Sequence, residues 1–159
     1  MPRRVRPKFP KKWGVPNDPK KWITWAHASQ KLENETEYWV ATSSLKGEPH
    51  ATPVWGIWKD EKFYFETDPG SVKGLNLKSN PRIVVHVQDG LDTVIVKGTA
   101  DREENPKKLS TLRSDYFRKY QYRPDWSDSS AQMVFRVSPS VVHAWKAPKM
   151  HQSLVKFVF

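Results

Sequence analysis

The chain has 159 residues, with 27 Lys+Arg against 17 Asp+Glu and a formal net charge of +10. That is long enough for one domain with its own core, and the charge calls for an anionic partner: a phosphorylated or polycarboxylate cofactor, nucleic acid or a membrane surface. There is no cysteine, which excludes disulfides, thiolate catalysis and thiolate-bound zinc or iron–sulfur centres and fits a reducing cytoplasm. No apolar run approaches a membrane span, and the first residues, MPRRVRPKFPKKW, lack the apolar centre of a signal peptide. The expected protein is soluble and cytoplasmic, with no membrane partner. Eight Trp, five Tyr and seven Phe weigh against disorder, because rings at that density bury large areas.

Residues 1–21 read as a basic arm broken by Pro2, Pro7, Pro10 and Pro16. Lost backbone donors at that spacing rule out a regular helix or a central strand, and such an arm lies on the surface of its own domain or of a partner subunit. Residues 22–159 form the single domain. Asp18 and Pro19 give an N-cap and first helical position, and Trp22, Trp25, Ala26 and Leu32 predict one face of a helix ending near Asn34. The period then becomes two: Tyr38 to Ser43, His50 to Trp58 and Phe63 to Thr67 are predicted strands, with turns at Lys46-Gly47-Glu48 and Lys59 to Lys62. Ser71 to Asn80 is a helix stopped by Pro81. Arg82 to Val87 and Thr93 to Ala100 form a hairpin across Asp89-Gly90. A helix from Asn105 to about Lys119 carries Leu109, Leu112, Tyr116 and Phe117 at helical spacing. Met133 to Val137, Val141 to Trp145 and Leu154 to Phe159 are the last strands, the first ended by Ser138-Pro139. Short, β-branched, closely spaced strands describe an antiparallel sheet curling toward a barrel.

Phe63 to Pro81, FYFETDPGSVKGLNLKSNP, gives strand, tight turn and helix N-terminus. Unpaired backbone N–H groups there, with Thr67, Ser71 and Lys73, would hold a phosphate. The same residues also describe an ordinary connection with a serine N-cap and a solvated lysine. In HATPVWGIW, Pro53 removes a ladder donor, which marks an edge or bulge where main chain is free to meet a planar ligand; an edge strand with Trp55 and Trp58 in the core fits equally. His27, His50, His86, His143 and His151 show no metal-ligand spacing. With no nucleophile elbow, Walker loop or GxGxxG, an organic cofactor must do any difficult chemistry. No run of aromatics interleaves with the basic residues, which sets nucleic acid aside.

The succession YWVAT, GEPHATPVW, FYFETDPGSVKGLNLKSNPRIVVHV, DTVIVKGTADR and VSPSVVHAWK…LVKFVF resembles the pyridoxamine 5′-phosphate oxidase-like family of flavin and deazaflavin oxidoreductases, over about Tyr38 to Phe159. The resemblance implies a mainly β fold with flanking helices, a split β-barrel homodimer with the cofactor in a cleft between subunits. It implies that main chain of His50, Ala51, Thr52, Pro53, Val54 and Trp55 lines the cofactor ring. Glu66, Thr67, Ser71 and Lys73 would hold the phosphate or the adjoining chain, Thr93 would approach the ring, and Trp145 and Lys156 would reach over from the partner. One departure stands out: Val72 occupies the place where many flavin-binding members carry arginine, which removes a bidentate clamp. The implied activity is hydride transfer between FMN, or the deazaflavin coenzyme F420, and a small conjugated or heteroaromatic substrate, with no catalytic side chain. The alternative is a non-catalytic flavin, deazaflavin or heme carrier.

Overall fold

A computed structural model describes residues 1–15 and 17–159; Pro16, one of the prolines invoked for the arm, lies outside the described residues. Nine strands form one antiparallel sheet: β1 (Arg3–Val5), β2 (Tyr38–Ser43), β3 (Pro49–Val54), β4 (Ile57–Lys59), β5 (Lys62–Thr67), β6 (Arg82–Val87), β7 (Asp92–Arg102), β8 (Met133–Lys146) and β9 (Val155–Val158). Four α-helices accompany them: α1 (Trp25–Asn34), α2 (Val72–Ser79), α3 (Pro106–Tyr120) and α4 (Met150–Ser153). The main path runs β1-β9-β8-β7-β6-β2-β3, while β5 pairs the first part of β8 and carries β4. This mainly antiparallel sheet with helices is consistent with the split barrel expected from the sequence.

Alternation sets which side chains are inside. In β2, Tyr38, Val40 and Thr42 are buried while Trp39, Ala41 and Ser43 are half-buried. Phe63 and Phe65 of β5 join Val85, Val94, Val96 and Phe157 in the main core. The intervening Tyr64 points the other way, into a smaller cluster with Ile57, Leu112, Tyr116 and Val134 beneath α3. Each of these fully buried side chains contributes roughly 1.5–3 kcal/mol of transfer free energy, so β5 is fixed from both faces.

Four expectations need correction. The helix foreseen from Asp18 is two pieces, a 3-10 turn Pro19–Lys21 capped by Asp18 and α1 capped by Thr24; Ala28 and Leu32 are its buried residues, and Ala26 is exposed. The strand His50 to Trp58 is divided at Trp55-Gly56 into β3 and β4, which pair with different neighbours. The two strands on either side of Ser138-Pro139 are one, β8: opposite Pro139 stands Gly98, next to a bulge at Lys97/Gly98 that relieves the ladder of Pro139's missing donor. Phe117 lies on the outer side of α3, beneath the Arg123 guanidinium at 4.2 Å. The arm, read as neither a regular helix nor a central strand, contributes the edge strand β1, whose Arg4 faces Phe157 of β9.

Candidate functional site

Strand β3 ends the strand order, so one row of its backbone groups has no ladder partner among the described residues. Pro53 is tolerated for that reason. Pro49, Ala51 and Pro53 are exposed; His50, Thr52 and Val54 are half-buried. Across the ladder His50 faces Thr42. The Thr42 hydroxyl accepts a hydrogen bond from the Asn76 amide at 3.1 Å, and Asn80 donates to the Ser43 carbonyl at 3.2 Å. These bonds fasten α2, which the Ser71 turn opens, to β2, the strand that β3 pairs with.

Ser71 caps α2, its hydroxyl accepting from Gly74 N–H at 3.2 Å and donating to the Asp68 carbonyl at 2.7 Å. The Thr67 hydroxyl lies 2.9 Å from it. A Cβ on Gly74 would come within 2.6 Å of the Asp68 carbonyl oxygen, so only glycine lets the turn press this closely on the helix. The turn is less empty than expected: Gly70 N–H donates to the Asp68 carboxylate at 2.6 Å and Ser71 N–H to the Asp68 carbonyl at 3.1 Å. Lys73 is different. Half-buried on α2, it has no hydrogen bond or ion pair among the described residues, and burial lowers its pKa, opposed in part by the charge of Asp68.

Glu66 turns away from this group. Its carboxylate accepts from the Trp126 indole at 2.5 Å on the α3 side of β5, where burial raises its pKa; β alternation puts Thr67 and Glu66 on opposite faces. Thr93 is buried, donates to the Gly90 carbonyl at 3.0 Å and faces Trp145 across β7 and β8. Lys156 faces His143 on β9. Within the chain Thr93, Trp145 and Lys156 lie three or more strands from β3 and do not meet the Ser71 turn.

Beyond β3, Trp55 stacks on Tyr120 with ring centroids 4.7 Å apart and planes within 5°. Tyr116 donates to the Trp55 carbonyl at 3.2 Å and Tyr120 to the Gly56 carbonyl at 2.8 Å. Lys119 donates to the Gly56 carbonyl at 3.1 Å and the Tyr38 hydroxyl at 2.8 Å, and burial lowers its pKa to about 8. The bend so held forms one wall of a cleft of about 390 Å³ lined by Glu37, Trp39, Pro53, Val54, Trp55 and Gln88. A larger groove of about 740 Å³ lies elsewhere, around Asp60, Lys62, Tyr64, Glu103, Lys108 and Arg136, where Lys108 is paired with Asp60 at 2.7 Å and Arg136 with Glu103 at 3.4 Å. Sequence reasoning missed Trp39, Lys119 and Tyr120; the i, i+4 pair Tyr116 and Tyr120 was the available signal. It also missed the His27–Asp92 pair at 2.8 Å. No group of three or more His, Cys, Asp or Glu among the described residues could hold a metal ion.

The model for pyridoxamine 5′-phosphate oxidase matches residues 25–146. The chain belongs to this family. The matched span begins at Trp25, ahead of the Tyr38 at which the resemblance was first legible, and so takes in α1. Among solved structures the chain is similar to a conserved hypothetical protein from Mycobacterium tuberculosis, with a TM-score of 0.67 and 21% identity over 78% of this chain and 85% of that one. An F420 reductase gives 0.58 and 21% over 72% and 94%. A heme binding protein from Mycobacterium smegmatis gives 0.63 and 18% over 77% and 55%. At these identities the likeness is one of fold. The chain matches none of the curated proteins.

Two features of this family member bear on an anionic cofactor. Val72, in the first turn of α2, is 54% exposed, so the place of the absent arginine opens to solvent. The basic arm sits at the other end of the strand order from β3, six ladder steps of about 4.8 Å each along the sheet, and its cations do not line that cleft.

Proposed function

We propose that the protein is an oxidoreductase that binds FMN along the free edge of β3 and passes hydride between it and a small conjugated or heteroaromatic substrate. The observation that carries this reading is Lys73: a half-buried ammonium with no hydrogen bond or ion pair among the described residues, two positions after Ser71, whose hydroxyl meets that of Thr67 at 2.9 Å. Such a charge is costly to leave alone, and a phosphate would satisfy it. The donor set fits: Lys73 supplies the charge, the two hydroxyls turn toward phosphate oxygens, and the edge of β3 offers main-chain groups to a ring packed near Trp55 and Pro53. When bound, the flavin supplies the hydride chemistry. The protein binds, orients and shields, and no side chain need act as acid or base. Trp145, Thr93 and Lys156 then belong to a site completed by a second copy, which makes the functional unit a homodimer.

The second reading is the deazaflavin coenzyme, favoured by Val72: phosphate is held there without the bidentate clamp that arginine gives. Titration of the apoprotein with each cofactor separates the two. We expect saturable binding of one FMN per protomer, and reduction of an added conjugated acceptor by the reduced complex. Tighter binding of the deazaflavin would reverse the order. Binding without any turnover would leave a carrier, and binding of neither cofactor would remove the proposal.

A further inference from the structure

The charge of the molecule is confined to one region. Residues 22–145 contain sixteen Lys+Arg and sixteen Asp+Glu; residues 1–21 contain eight Lys+Arg and one Asp, and residues 146–159 three Lys and no carboxylate. The whole excess of +10 therefore lies in two terminal segments, and the fold joins them. Strand β1 pairs with β9, placing Val5 opposite Lys156. Farther along the arm, Phe9 and Trp13 gather on His151 of α4 with ring centroids 5.8–6.2 Å apart.

Within this region two of the three arginines are engaged on rings, while Arg3 and most of the lysines are exposed. Arg4 lies over the Trp22 ring and Arg6 over Phe9, each at 5.5 Å, and Arg6 also donates to the Val15 carbonyl. Lys8, Lys11, Lys12, Lys20, Lys146 and Lys149 are exposed. The single carboxylate, Asp18, is occupied by Lys20 N–H and by Lys21 at 3.9 Å. Among the lysines, Trp13 is half exposed and Met150 of α4 contributes further apolar surface.

We propose that this lysine-rimmed aromatic surface, built from the arm and the C-terminal segment, docks the protein on an anionic phospholipid bilayer. Like charges crowded together without counter-charges raise the energy of the free protein and are relieved at a surface of opposite sign. A bilayer suits the composition: lysines reach headgroup phosphates as point charges, and a tryptophan at their centre settles at the headgroup level. Nucleic acid suits it less. Arg4 and Arg6, two of the three arginines that could fork onto phosphate, are engaged on the Trp22 and Phe9 rings, and one face of Trp13 is already taken by His151, stacked at 30°, which leaves no open row of rings for bases. No helix among the described residues is long and apolar enough to cross a membrane, so the attachment is peripheral. It departs from the expectation of no membrane partner and does not depend on which cofactor is bound.

Vesicle sedimentation of the full chain tests it, comparing phosphatidylcholine alone with vesicles containing about 30% phosphatidylserine. The protein should sediment with the anionic vesicles and not with the neutral ones, and binding should fall steeply as salt rises. K8E/K11E/K12E should weaken partitioning tenfold or more, and Trp13→Ala several-fold at constant salt, with circular dichroism unchanged. K46E/K78E/K107E, the same charge change on the neutral body, should leave partitioning near wild type. Equal binding to both vesicle types, equal loss from both triple variants, or displacement from vesicles by a single-stranded oligonucleotide at lower concentration than the lipid would overturn the proposal.

Discussion

Two lysines withdrawn from water sit in opposite circumstances. Lys119, at the end of α3, is held by the Tyr38 hydroxyl and the Gly56 carbonyl and lies over the Tyr38 ring at 4.8 Å. Lys73, in the first turn of α2, has no partner within the chain among the described residues. Burial lowers the pKa of both, so the desolvation cost is common and the compensation is not. An internal network that satisfies its lysine builds structure, here the bend at Trp55-Gly56. A half-buried lysine without an internal partner builds no such structure, and its charge is left available to an outside anion, which is the premise of the proposed FMN site.

Breaking the satisfied side should cost the most stability. A Cβ on Gly56 would run into the Phe63 ring and approach the Tyr64 carbonyl oxygen to 2.8 Å, so Gly56→Ala should destabilise by about 3 kcal/mol in denaturant unfolding. Lys119→Ala, which removes two hydrogen bonds and leaves a void under Tyr120, should lose about 2 kcal/mol. Its protonation sharpens the contrast. With a folded-state pKa of about 8 against 10.5, the unfolded chain holds the proton in that interval and the folded chain does not. Stability referenced to Lys119→Met should therefore rise as pH increases above about 8, and be flat below it. Ser71→Ala, which deletes a cap without touching the core, should cost about 1 kcal/mol.

The fold was legible where one period governs a whole element. Tyr38 to Ser43 and Arg82 to Val87 were read to the residue as β2 and β6, because alternation with one buried face leaves no other register. It was not legible where a single residue's tertiary contact decides. The break after β3 falls at Trp55-Gly56, where the Phe63 ring fills the space that a side chain on Gly56 would need, and nothing in HATPVWGIW announces Phe63. Pro139 fails to end β8 because Gly98 opposite gives way. At the candidate site, the Ser71 cap and the edge position of Pro53 followed from local chemistry. Glu66 was grouped with Thr67 although alternation along β5 turns the two to opposite faces; its partner Trp126, sixty residues later, was not legible, and Lys119 joins Gly56 across a similar separation.

The smallest stability effect is expected at Lys73, and it leads to the decisive measurement. Lys73→Ala should change unfolding free energy by no more than about 0.5 kcal/mol, because no internal partner is lost. FMN affinity of the same purified variant, measured by fluorescence titration, should fall roughly tenfold or more, the worth of one charge-assisted contact to phosphate. Unchanged affinity in a variant of unchanged stability would contradict the account, since Lys73 would then be a solvated lysine beside an ordinary helix cap and not the cation that the cofactor completes.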